Sequence, residues 1–289
     1  MRVLFLIICI AVVLLSVAPG ESAAEETSYT IIVSNSTKSA VKNLQSSISN
    51  MMGENVSHRK IEHHSPEAKE WIDLLEIKFV PYVIFSENIK KYEKFFSLLN
   101  NKAIISKNGQ YVIPDKMLRP LGIMFLNRPI KSHQLDVFLM SKCPIGNSAL
   151  QQLNNYLTAN PNKFNINIHY IADFNEFGIN SVRGAKEIKE DIRQLLVQKY
   201  YPDKFWQYHR LYLQKERYEA IFKKIAIDAA IIDSHKEDGL KLLKKDFNLY
   251  NELGIIYSIN SSPTFLWENQ VLLSSIRQVY EIIMPESNS

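Results

Sequence analysis

Cysteine is nearly absent from this chain: two residues in 289, at positions 9 and 143. Cys9 lies in an apolar run from Val3 to Val17 that follows Arg2 and is otherwise broken only by Ser16. Small residues come next, at Ala18, Gly20, Ser22, Ala23 and Ala24. A basic start, a short apolar core and small residues near a cut site describe a secretory signal peptide over residues 1–24. The run is shorter than the roughly 20 residues that span a bilayer comfortably, so an uncleaved anchor is the weaker alternative. Ile7 and Ile8 before Cys9 lack the small residue that a lipoprotein site requires. The expectation is an exported protein, periplasmic or secreted, or in a secretory-pathway lumen if the source is eukaryotic. Cys9 then leaves with the leader, and no intramolecular disulfide can form. A single remaining thiol in an exported protein has an intermolecular partner, is reactive, or is buried and inert.

Other absences narrow the function further. No second apolar run of spanning length follows, so no membrane contact beyond the leader is expected. An excess of one charge is also missing: the formal net charge is +4, with Lys and Arg alternating with Asp and Glu. That pattern is a solvated surface and excludes a nucleic-acid stripe. Metal-ligand spacing is lacking at His133, His169, His209 and His235. His58, Glu62, His63 and His64 fall near a strand end, with 58, 62 and 64 on one face. No third cluster supplies further ligands, so a polar strand edge is preferred, and neither metal nor cofactor is expected.

What is present is globular: 46% hydrophobic, 22% charged, with 14 Tyr and 14 Phe to fill cores. The length without the leader suits two domains of ordinary size. Residues 27–120 alternate strands with helices. Tyr29–Val33 is β-branched, Val41, Leu44, Ile48 and Met51 recur at helical spacing, and Val56–His63 reads as a second strand. Ser65 and Pro66 supply a cap and first-turn proline, and Phe79–Phe85 is a strand with Pro81 near its start. A helix through Tyr92 and Phe96 precedes two short strands around Gly109. Residues 121–133, with Pro129, form the expected linker. The second unit, 134–286, opens with the strand Leu135–Met140, which runs into Ser141-Lys142-Cys143-Pro144 and a helix. From about 174 to 253 the chain turns helical, with an Ile188, Ile192, Leu195 stripe and an aromatic helix from Phe205 to Tyr212. Ser234 and Glu237 form a capping box, and Gly254 closes that helix. Ser262-Pro263-Thr264 then leads a hairpin and a last helix. Strands separated by helices imply an α/β fold.

A cysteine where a strand meets a helix has chemical consequences. The free N–H groups and positive dipole end of the helix favour thiolate, Lys142 adds positive charge, and Pro144 fits the first turn. These features predict a lowered thiol pKa and partial exposure.

The order of strand, Cys143-Pro144-Ile145-Gly146, helix, strand, helical insertion and Ser262-Pro263-Thr264 hairpin resembles the thioredoxin superfamily. The place of the insertion is similar to that in disulfide oxidoreductases of the DsbA type and in gamma-interferon-inducible lysosomal thiol reductases. The resemblance covers roughly residues 133–286. The first unit resembles a degenerate thioredoxin domain, with Pro81 in the matching proline position. It implies two thioredoxin-like α/β domains, central mixed sheets flanked by helices, the second with an all-helical insertion. It further implies that Cys143 attacks, that Pro263 is cis and faces it, and that Ser262 and Thr264 hold an extended substrate strand. Gly146 departs from the family, because a dithiol enzyme has its resolving cysteine there. Exchange then needs another thiol, such as glutathione or a partner cysteine. The first unit offers only Ser34, Asn35, Ser36 and Thr37 at the matching turn, which implies a scaffold or binding surface. The expected partners are cysteine-containing or extended polypeptides, and a redox-inactive, chaperone-like peptide-binding or scaffold module is the alternative.

Overall fold

The computed structural model describes residues 27–119, 122–254 and 262–284; the expected leader lies outside them. β1 (Tyr29–Val33) is buried at all five positions, as its run of β-branched and aromatic residues requires. Helix α1 (Lys38–Met52) turns Val41, Leu44, Ile48 and Met52 to the core, with Met52 taking the place expected for Met51. It stops at Gly53, whose φ of 81° a side chain would resist. β2 (His58–Glu62) and α2 (Pro66–Leu74) follow, and Ser65 caps α2 by accepting the Ala68 amide at 3.2 Å. Next come β3 (Phe79–Val80), β4 (Tyr82–Phe85), α3 (Phe95–Asn100), β5 (Ile105–Lys107), β6 (Gln110–Val112) and α4 (Asp115–Leu118). The helix expected through Tyr92 and Phe96 is a 3-10 turn over Glu87–Lys91 followed by the short α3.

β7 (Ile123–Phe125) falls inside the stretch expected to be a linker, and it is buried at all three residues. The second unit then runs through β8 (Gln134–Leu139), α5 (Pro144–Ala159), β9 (Asn165–Tyr170) and a hairpin of β10 (Asp173–Asn175) and β11 (Gly178–Asn180). The insertion therefore opens on a hairpin, and its helices are α6 (Ala185–Tyr200), α7 (Phe205–Leu213), α8 (Tyr218–Ile225), α9 (Ala229–Ser234) and α10 (Lys236–Glu252). The expected capping box at Ser234 does not form. Ser234 ends α9 and donates back to the Ile231 carbonyl, while His235 stands at the start of α10 without a side-chain cap. β12 (Thr264–Trp267), β13 (Val271–Leu273) and α11 (Ile276–Ile283) close the chain.

The first sheet has the order β2-β1-β4-β6-β5, with β1 parallel to β2 and antiparallel to β4. The second has the order β3-β7-β13-β12-β8-β9, with β8 parallel to β9 and antiparallel to β12. In each unit, two parallel strands joined through a helix lie beside an antiparallel pair. Mixed sheets flanked by helices are the α/β fold expected from the sequence. The Val80–Pro81 and Ser262–Pro263 peptide bonds, each just before the third core strand, are cis.

The two sheets share a chain segment. Phe79 and Val80 pair with Phe125 and Met124 in the second sheet, whereas Tyr82–Phe85 pair within the first. Pro81 has no N–H to donate and stands where the chain changes sheets. Arg119, at the end of α4, stacks over Phe79 and Phe125 and donates to the Leu253 carbonyl at 2.6 Å. Gly254 beside it has a φ of 67°, a conformation that a side chain would resist.

Candidate functional site

Cys143 is the residue immediately before α5, in extended conformation, and Pro144 opens the helix. Its Sγ lies 3.5 Å from the carbonyl oxygen of Ser262, toward which the thiol donates. Ser262 meets this loop a second time, as its Oγ accepts the Met140 amide at 3.0 Å. Thr264 begins β12 in the same buried region. The fold thus brings Lys142, Cys143, Pro144, Ser262, Pro263 and Thr264 together at the C-terminal ends of the parallel strands. The expected partial exposure is not found: Cys143 is 2% exposed. It sits below the surface because the Ser262–Pro263 segment packs directly over it, a tertiary contact that local sequence does not reveal.

Gly146 occupies a closed position. A Cβ on it would stand 2.9 Å from Ser262 Oγ, 3.3 Å from Leu139 Cβ and 3.6 Å from Cys143 Cβ. A side chain at Gly146 would therefore meet the Ser262 hydroxyl, which is already engaged with Met140.

The loop before the thiol is anchored by a helix whose polar stripe faces inward. Glu187, Glu190, Asp191 and Gln194 on α6 are all buried. Glu187 accepts the Lys142 amide at 3.0 Å and the Arg183 amide at 3.3 Å, and it also accepts the Ser181 hydroxyl. Asp191 accepts the Ser141 amide at 3.0 Å. Burial pushes the Asp191 carboxyl far above the usual range despite that bond, and the neighbouring Glu187 and Glu190 add to the rise. Burial thus disfavours the charged form of Asp191 beside the thiol loop, and its second oxygen is buried without a hydrogen-bond partner. The Ser141 carbonyl accepts from Asn147 at 2.7 Å and from the Tyr212 hydroxyl at 3.3 Å. His209 reaches Asn147 Oδ1 at 3.2 Å, and burial lowers its pKa to about 4. Arg183, just before α6, lies 3.6 Å from Met140 Sδ and 3.7 Å from Glu187.

Sequence reasoning missed this acidic stripe, treating α6 by its Ile188, Ile192, Leu195 face. The signal was present as spacing. Residues 187, 190, 191 and 194 share one helical face, as do Tyr208 and Tyr212, whose hydroxyls reach Glu190 at 2.8 Å and the Ser141 carbonyl.

Elsewhere, His169 is held in the second sheet between two carboxylates, Asp136 at 2.9 Å and Asp246 at 2.7 Å. Burial of the ring opposes its charge, but those two hydrogen bonds outweigh it and lift the pKa to about 9. The pair ties β8 and β9 to α10. In the first unit, His58 stacks on Tyr29 with centroids 5.2 Å apart. Glu62, His63 and His64 instead bring one ligand atom each to within 4.8 Å of one another. The turn Asn35–Thr37 after β1 forms a 3-10 turn capped by Ser34, whose hydroxyl meets Met124 of β7 at 3.2 Å. Among the described residues, no helix is long and apolar enough to cross a membrane.

No protein-family model matches the chain, and no curated protein matches it. Among solved structures, the chain is similar to the thiol-disulfide exchange protein α-DsbA2 from Wolbachia pipientis. That match has 15% identity and a TM-score of 0.39, over 55% of this chain and 86% of the other. A thioredoxin-like oxidoreductase from Silicibacter pomeroyi matches at 14% identity over 55% of this chain and 91% of the other, with a TM-score of 0.39. ScsC from Proteus mirabilis in a compact conformation matches at 21% identity over 54% and 83%, with a TM-score of 0.35.

Proposed function

We propose that this is an exported thioredoxin-like protein whose second unit carries out monothiol exchange on cysteine-containing polypeptides through Cys143. The observation that supports the reading best is the seating of Cys143 Sγ at the start of α5, 3.5 Å from the Ser262 carbonyl. An extended substrate strand laid along Ser262-Pro263-Thr264 would bring its disulfide to that sulfur. The Cys143 thiolate attacks one substrate sulfur, forms a mixed disulfide and expels the other as thiolate. A second thiol, glutathione or a cysteine of the substrate or a partner, then attacks the mixed disulfide and restores Cys143. The positive end of α5 favours negative charge at the sulfur, Lys142 next in the chain adds positive charge, and Pro144 removes one of the donors that the first turn would leave unpaired. Gly146 supplies no internal resolving thiol, so the mixed disulfide persists until that second thiol arrives. Ile145, two residues after the thiol, is an apolar side chain that is 71% exposed.

The burial of Cys143 favours a second reading, a redox-inactive module that grips extended peptides along the Pro263 segment. One experiment separates the two. Incubation with a disulfide-bonded unfolded protein should yield a mixed disulfide at Cys143, and Cys143→Ser should abolish it. Peptide binding that is indifferent to Cys143→Ser, without any covalent capture by the parent, would establish the second reading.

A further inference from the structure

We infer that the first unit carries a divalent transition-metal site built from Glu62, His63 and His64, of the kind that takes zinc. The inference is independent of the thiol chemistry of the second unit. Two imidazoles and a carboxylate form a donor set suited to first-row divalent ions, and three protein ligands leave a fourth position for water or substrate. Their ligand atoms already lie within 4.8 Å of one another. In a tetrahedral shell with bonds of about 2.0–2.1 Å, ligand atoms stand roughly 3.4 Å apart. Glu62 and His63 are half-buried and His64 is exposed, so their side chains have room to close that gap.

An independent feature orients one ligand. His63 Nδ1 lies 3.3 Å from the Val33 carbonyl oxygen. A carbonyl only accepts, so Nδ1 carries the proton and Nε2 keeps its lone pair. A ring N–H held by a backbone carbonyl is how proteins set the tautomer of a metal-binding histidine. The backbone is fixed as well: the His63 amide donates to the Val33 carbonyl at 3.0 Å, and the Ser65 amide to the Glu62 carbonyl at 2.9 Å. The cluster is placed at the C-terminal end of β2, beside the turn where β1 ends. That is the end of the first unit corresponding to the end of the second unit where Cys143 sits.

Calorimetric titration of the full chain with zinc chloride tests the site, in a Cys143→Ser background that removes the thiol. The expected result is one zinc per chain. Affinity should fall at least tenfold in His63→Ala and in His64→Ala, no less than the roughly 10–100-fold that loss of an outer-shell partner costs. His58→Ala, which alters the histidine stacked on Tyr29, should bind as the background protein does. Circular dichroism should show all three variants folded. Absence of binding, binding unchanged in both His63→Ala and His64→Ala, or binding seen only when Cys143 is intact would each overturn the inference.

Discussion

A Gly146→Cys substitution would put a second thiol on the first turn of α5, three residues after Cys143. Its Cβ would lie 3.6 Å from Cys143 Cβ, inside the roughly 3.5–4.5 Å range that disulfides span. It would also lie 2.9 Å from Ser262 Oγ, so that hydroxyl must rotate away. The buried Met140 amide then loses its partner, at a cost of about 1–3 kcal/mol. Replacing glycine inside a helix returns up to about 1 kcal/mol. The reduced variant should therefore be less stable than the parent by about 0–3 kcal/mol. Closing so short a loop with a disulfide adds roughly 2 kcal/mol in the chain-entropy account, which brings the oxidised variant back near the parent. Urea unfolding with and without dithiothreitol measures both numbers, and thiol titration after equilibration with oxidised glutathione counts the bridge. The oxidised protein should show no free thiol, and after reduction it should resolve its own mixed disulfides. Two thiols that stay free, or a reduced variant clearly more stable than the parent, would refute the packing at this position.

Three other outcomes follow from the buried groups. His209, with its pKa lowered to about 4, is protonated more readily in the unfolded chain, so stability should rise as pH increases from about 4 to 6.5. His169 behaves in the opposite sense. Its pKa, raised to about 9, contributes stability that is complete below about 6.5 and lost toward 9, roughly 3 kcal/mol in all. Unfolding free energy against pH should thus form a dome around pH 6.5, with His169→Gln flattening only the alkaline arm; an alkaline arm unchanged in that variant would disprove the assignment. Glu187→Ala should cost about 3 kcal/mol in urea unfolding, because the Lys142 amide and Arg183 both lose a buried partner. Asp191→Asn keeps the shape and removes a carboxyl whose charge burial disfavours, so its cost should stay below about 1 kcal/mol. A larger loss would mean that Asp191 is ionised.

Local chemistry made much of the architecture readable. Val41, Leu44 and Ile48 mark a helix that packs on β1, Ser65 and Pro66 start α2 as their types require, and Cys143-Pro144 opens α5. Pro81 and Pro263 are expected near strand starts, and β4 and β12 begin directly after them. Features that depend on long-range contact were not readable. Phe79 and Val80 form a two-residue strand with no periodicity to say which sheet they join. The α6 carboxylates have the spacing of a solvated face, and donors such as the Ser141 and Lys142 amides and the Tyr208 hydroxyl make their burial tolerable. The same holds for Cys143, whose covering segment is more than a hundred residues away in sequence. Around His63 the sequence showed the donors but not the Val33 carbonyl that orients one of them.

The segment that passes from one sheet to the other at Pro81 has a mechanical consequence. Phe79–Val80 and Tyr82–Phe85 are one covalent ribbon, riveted by hydrogen bonds to β7 on one side and to β1 and β6 on the other. A pivot of either sheet against the other would have to shear the β3–β7 pairing, so the two units transmit load as one body. Stretched from its ends, the protein should yield in one cooperative rupture, and a fragment starting at residue 134 would bare the flank of β13 that β7 now covers.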